Sequence, residues 1–70
     1  PPKGSVVTVL EDVTTTGSSA IKAVNVLRDA GYTVNRVVTI VDRMENHKVW
    51  DNNELEFRSL FTLEDIVNAE

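Results

Sequence analysis

The apolar positions of this chain change period as they run. Val6, Val7, Val9 and Leu10 form a short, β-branched and almost continuous apolar run, the pattern of a strand buried on both faces of a parallel sheet. From residue 20 to 30 the spacing becomes helical, with Ala20, Ala23, Val24 and Leu27 at i, i+3, i+4 and i+7. Gly31 then stands as the helix stop, with Arg28 near the negative end of the helix dipole. Residues 33–41 (T-V-N-R-V-V-T-I-V) read as a second strand. Leu55 and Phe57 alternate with Glu54, Glu56 and Arg58, which predicts a third strand with one buried face, and Leu60 and Phe61 prolong its apolar character. Thr62 with Glu64 and Asp65 is an N-cap followed by acids in the first turn, opening a helix over residues 63–69 that is too short to hold without packing. Trp50, in a polar setting, reads either as a hydrophobic plug or as a contact to another subunit.

The order of parts predicts an α/β fold built on a β-α-β crossover, which brings both strand ends to one edge of a parallel sheet. Ligands of open α/β sheets bind outside those ends. Glu11 and Asp12 follow the first strand, and Asp42 and Arg43 follow the second, so four ionisable side chains are expected at one rim. The hydroxyls of Thr14, Thr15, Thr16, Ser18 and Ser19 surround Gly17, whose freedom at positive φ lets the backbone approach a ligand closely. Amides that open a helix lack intrahelical partners and sit at its positive end, so residues 14–18 are expected to hold a phosphate without any lysine. The bland alternative is a serine helix cap at Ser18 or Ser19 beside a solvated acidic turn. For Arg43 the corresponding alternative is a surface or intra-sheet ion pair of little energetic weight.

These residues carry a resemblance. The run V-T-V-L-E-D-V-T-T-T-G-S-S, residues 7–19, resembles the phosphoribosyl-pyrophosphate (PRPP) motif of type I phosphoribosyltransferases. A-V-N-V-L-R-D-A-G after the loop, V-D-R at residues 41–43 and S-L-F-T-L-E-D-I at 59–66 are similar to the C-terminal part of the orotate phosphoribosyltransferase family. Residues 45–54 match poorly, and Met44 stands where glutamine is often found. The resemblance implies a partial type I phosphoribosyltransferase, Rossmann-like fold, with residues 1–70 as the C-terminal portion of an incomplete domain. It implies transfer of the phosphoribosyl group of PRPP to orotate, giving orotidine 5′-phosphate and pyrophosphate in pyrimidine biosynthesis.

Carried over by position, Glu11 and Asp12 would face the ribose hydroxyls and favour an oxocarbenium-like transition state. Together with Val13, Thr14, Thr15, Thr16, Gly17, Ser18 and Ser19 they would form the PRPP and phosphate site. Thr15 and Arg43 would contact orotate, the planar guanidinium suiting its carbonyl and carboxylate acceptors. Asp42 would orient its neighbours. Magnesium would arrive with PRPP, Glu11 and Asp12 approaching its hydration shell without ligating it. The resemblance also implies a homodimer, or completion of the site by another chain, and a cytoplasmic setting. The hood over the base and the basic loop for the departing diphosphate are not among these residues, and the opening Pro1-Pro2 reads as the start of a fragment. Activity of the chain alone is therefore not expected. A non-catalytic PRPP or nucleotide-binding module, a transferase for another nucleobase, and a half-sheet that assembles through its edges remain as alternatives.

Composition narrows these readings by exclusion. At 70 residues the chain is one domain at most, and 41% hydrophobic against 26% charged residues marks it as globular. A net charge of −4 supplies no basic footprint for nucleic acid. One histidine and no cysteine leave a tetrahedral zinc site or a cysteine nucleophile without ligands, and the lack of cysteine fits a reducing compartment. Neither a P-loop nor a G-x-G-x-x-G is present, and no segment is apolar for long enough to span a membrane.

Overall fold

The computed structural model describes residues 2–68. Three strands, β1 (Val6–Thr14), β2 (Thr33–Asp42) and β3 (Glu56–Thr62), form a wholly parallel sheet in the order β1-β2-β3. Helix α1 (Ser18–Asp29) joins β1 to β2, the short α2 (Lys48–Asn52) joins β2 to β3, and α3 (Leu63–Asn68) follows β3 directly.

The pairing runs from Val6 opposite Thr33 to Thr14 opposite Asp42, and from Arg36 opposite Glu56 to Asp42 opposite Thr62. Strand β1 is longer than its apolar run because β2 stays alongside it: Glu11 pairs with Thr39 and Val13 with Val41, so the acidic pair lies within the strand and not beyond it. The buried Thr39 hydroxyl adds a hydrogen bond to the Asp12 carbonyl (3.2 Å), tying β2 to β1 at that level.

The core lies on one face of the sheet. Val9, Val34 and Val37 meet Ala20 and Val24 of α1, while Trp50 of α2 and Leu55 close the other side. Ala20 and Val24 are fully buried and Ala23 and Leu27 partly so, as the helical spacing requires. Trp50 is a plug: it is 2% exposed and stacks on Phe57 with ring centroids 4.5 Å apart and planes 3° apart.

On the opposite face there is no such cover among the described residues. Leu10 is 76% exposed, Leu60 67% and Ile40 48%, beside an exposed Arg36–Glu56–Arg58 ion-pair cluster. Arg36 first, then Arg58, hold the Glu56 carboxyl below its usual range. The expectation of strands buried on both faces is thus met on the helix side only, because both crossover helices pack on the same side. A radius of gyration of 12.9 Å, against about 11 Å for a compact domain of this length, agrees with a sheet covered once.

Local signals account for the helix ends. The Tyr32 amide donates to the Leu27 carbonyl (3.1 Å) and the Gly31 amide to the Arg28 carbonyl (3.0 Å), with Gly31 at φ +98°, so α1 closes in a Schellman motif. The Arg28 side chain does more than sit at the dipole's end: its guanidinium donates to the carbonyls of Val34 (2.6 and 3.1 Å) and Asn53 (3.0 Å), fastening α1 to β2 and to the end of α2. At the start of α3, the Thr62 hydroxyl accepts from the Asp65 amide (3.2 Å) and the Thr62 amide donates to the Asp65 carboxylate (2.9 Å), a reciprocal cap. Ala69, expected as the last residue of α3, lies outside the described residues.

Helix α2 ends as α1 does, with Leu55 N–H donating to Trp50 (2.8 Å) and Glu54 N–H to Asp51 (3.1 Å), yet Glu54 occupies the left-handed position at φ +57° that favours glycine. Glu54→Gly is therefore expected to stabilise the chain by roughly 0.5–1 kcal/mol, the relief of left-handed strain outweighing the added freedom of the unfolded chain. A higher urea midpoint at unchanged slope checks this, and a lower midpoint refutes it.

Candidate functional site

The turn between β1 and α1 is three residues long, Thr15, Thr16 and Gly17. Gly17, not a serine, is the N-cap of α1, at φ +84° and without a side-chain cap. Ser18 and Ser19 are the first two helical residues, so their amides are among those a helix cannot satisfy internally. The Thr16 hydroxyl accepts a 3.3 Å hydrogen bond from the Ser18 amide and lies 3.0 Å from the Ser18 hydroxyl, which folds the turn over the helix start.

Gly17 is buried because α2 lies beneath it. A Cβ at Gly17 would stand 3.1 Å from the Trp50 ring and 3.2 Å from Val49. The positive φ and the close approach thus have one cause, the indole that fills the space under the turn.

Above the turn is a recess of about 50 Å³ lined by Glu11 and by residues 13–20. It gathers Glu11, Val13, Thr14, Thr15, Thr16, Gly17, Ser18 and Ser19 of the predicted phosphate site. Asp12 is not among the residues that line it. The Thr14 hydroxyl is buried here with no hydrogen-bond partner among the described residues.

At the end of β2 the Arg43 amide donates to the Thr14 carbonyl (2.8 Å), which holds the second strand's exit against the first. The exposed Arg43 guanidinium has no ion pair or hydrogen bond among the described residues, so the ion-pair alternative is not realised there. With Thr15, Thr16, Glu45, Asn46 and Val49 it lines an open cleft of about 530 Å³ next to the small recess. Asp42 is engaged through both carboxylate oxygens, accepting from the Met44 amide (2.8 Å) and bonding His47 Nε2 (2.7 Å). Among the described residues no three His, Cys, Asp or Glu side chains are grouped to hold a metal, and no helix is long and apolar enough to cross a membrane.

Sequence reasoning missed α2 and His47. Both fall in the stretch of residues 45–54 that has no periodicity long enough to register as a helix, and the lone signal was an aromatic residue in polar surroundings.

A parallel sheet whose first crossover turn presents a helix start, a carboxylate and hydroxyls at the strand ends has the fold of a type I phosphoribosyltransferase in part. Within that class the chain is a homologue of the orotate phosphoribosyltransferases. It is 52% identical over 66 residues to the orotate phosphoribosyltransferase of Thermosynechococcus vestitus, a match covering 93% of this chain and 35% of that protein. The crystal structure of orotate phosphoribosyltransferase from Aeropyrum pernix superimposes with a TM-score of 0.89 at 37% identity, over 99% of this chain and 39% of that one. The Mycobacterium tuberculosis orotate phosphoribosyltransferase in complex with inorganic phosphate gives 0.81 at 36% identity, over 89% of this chain and 38% of that one. No protein-family model matches the chain. The chain spans about a third of the length of the curated relatives it matches.

Proposed function

We propose that this chain is the sugar-phosphate and base-binding part of an orotate phosphoribosyltransferase, which joins the phosphoribosyl group of PRPP to orotate and releases pyrophosphate. The observation that carries the reading is the recess at the start of α1, where the first helical turn, the Thr14 and Thr16 hydroxyls and the Glu11 carboxylate converge beside the cleft that Arg43 lines. The Mycobacterium tuberculosis relative is a complex with inorganic phosphate, so a protein of this kind takes that anion.

In this reading the amides of Gly17 and Ser19 and the hydroxyls of Thr16 and Ser18 receive the 5′-phosphate, the helix dipole favouring its charge. Glu11 accepts from ribose hydroxyls. Its negative charge is stronger in effect when the anomeric carbon turns positive, as the bond to pyrophosphate breaks and the bond to orotate nitrogen forms. Arg43, without an ion-pair or side-chain hydrogen-bond partner among the described residues, offers a planar fork to the carbonyl and carboxylate oxygens of orotate, with Thr15 beside it. Asp12 stands on the alternate side of the strand end and reaches the pentose only from there. Magnesium enters with the diphosphate of PRPP, coordinated by oxygens of the ligand and by water. The apolar sheet face of Leu10, Ile40 and Leu60 supports completion of the domain by further polypeptide, in the same chain or another.

Calorimetric titration with ribose 5-phosphate and with PRPP plus magnesium tests the site. Thr16→Ala is expected to weaken both about tenfold, through loss of the hydroxyl that organises the turn. Unchanged affinity in that variant counts against the turn as the phosphate site. Binding without orotate consumption, even when the rest of a phosphoribosyltransferase is supplied in trans, assigns the chain to a binding role in place of a catalytic one.

A further inference from the structure

Residues 43–47 connect β2 to α2 and carry Arg43 and Glu45 along the open cleft. This turn has no glycine and no regular structure of its own, so something must hold it. Asp42 does so at its start, with one carboxylate oxygen on the Met44 amide (2.8 Å) and the other on His47 Nε2 (2.7 Å). At its end the Asn46 side-chain oxygen accepts from the Lys48 amide (2.8 Å), which starts α2. The His47 ring also rests on Phe57, centroids 5.6 Å apart, and Phe57 stacks on Trp50 under Gly17. A line of contacts therefore runs from the Asp42 carboxylate through His47 and two aromatic rings to the floor of the phosphate turn. The Asp42 side chain is 11% exposed, which makes its two hydrogen bonds hard for water to replace, whereas the His47 side chain is 49% exposed and removable without opening the core.

We propose that His47 is a positioning residue: by donating to Asp42 while its ring lies on Phe57, it closes the turn of residues 43–47 and fixes where Arg43 stands relative to Thr15 and Thr16. The consequence for ligand rests on the base-binding reading of Arg43, but the closure of the turn does not. With the clamp, the guanidinium is presented to the cleft in one place. Without it, Asp42 retains only the Met44 amide, and the turn explores other positions. The sugar-phosphate recess, built by residues 11 and 13–20, is made by other residues and is left intact.

Two variants separate the hydrogen bond from the ring contact. His47→Phe keeps a ring against Phe57 and cannot donate to Asp42; His47→Gln restores a donor at similar reach. In the full chain, ¹⁵N-correlation spectra and amide exchange are read at Met44 and Arg43, and calorimetry compares orotidine 5′-phosphate with ribose 5-phosphate. The expected result is that His47→Phe shifts the Met44 and Arg43 amides, speeds Met44 exchange and weakens orotidine 5′-phosphate about tenfold, ribose 5-phosphate holding within about twofold, and that His47→Gln returns most of each change. Met44 and Arg43 amides unmoved by His47→Phe overturn the proposal, as does an equal loss for both ligands. If the wild-type chain binds neither ligand, the functional reading falls, while the amide signature still decides whether His47 closes the turn.

Discussion

Gly17→Val is expected to remove a large part of the chain's stability, its urea midpoint by far-UV circular dichroism falling far below the parent's. A valine at φ +84° is an outlier for a β-branched residue, and its Cβ would start 3.1 Å from the Trp50 ring and 3.2 Å from Val49, with two methyl groups still to be placed. Strain and overpacking together cost about 4–5 kcal/mol, against a total of roughly 4–10 kcal/mol for a domain of this size. Gly17→Ala, which lacks the extra methyls, is expected to fold with a lower urea midpoint. A Gly17→Val chain that melts like the parent would show that the turn does not hold its left-handed conformation over the indole. Loss of phosphate binding in the valine variant is consequently a folding result, and Thr16→Ala is the variant that reports on the site.

Trp50→Ala is the second large effect, a destabilisation of about 3–5 kcal/mol as for other buried aromatic truncations. The indole touches three things at once: Phe57 by stacking, Gly17 from below, and the core of Val9, Val24 and Leu55. Removing it leaves a void beneath the phosphate turn that the short α2 cannot fill. Trp50→Phe should cost much less, under about 1.5 kcal/mol, because an aromatic ring still stacks and the buried indole N–H, which has no partner among the described residues, is removed with its desolvation penalty. Urea titrations followed by circular dichroism decide the matter. Equal losses for alanine and phenylalanine would mean that the ring's stacking and volume are not what holds α2 down.

The elements set by short-range chemistry could be read from the sequence. The crossover helix announced itself through Ala20 and Val24, its stop through Gly31, and the start of α3 through Thr62 and Asp65, all within four residues of one another. Elements set by distant partners could not. Strand β1 continues to Thr14 because β2 is beside it, and that placed Glu11 and Asp12 on alternate sides of one strand instead of together in a loop. Helix α2 is five residues, too short for a period to emerge, and exists because Trp50 is buried and the Asn46 side chain accepts from its first amide. Leu10 and Leu60 read as core residues since an apolar run says only that cover is wanted, not which chain provides it. At the candidate site, the placing of Glu11, Thr16 and Arg43 along one rim was legible, while the support beneath them, His47 and Trp50, was not.

The single tryptophan of this chain is also its only strong fluorophore besides Tyr32, and its ring lies directly against Gly17. An anion that draws the turn of residues 17–19 toward itself is expected to shift the surroundings of that indole, so emission intensity and wavelength test occupancy of the recess without a label. The packing that makes the turn possible thereby gives the molecule an intrinsic optical report on its first crossover.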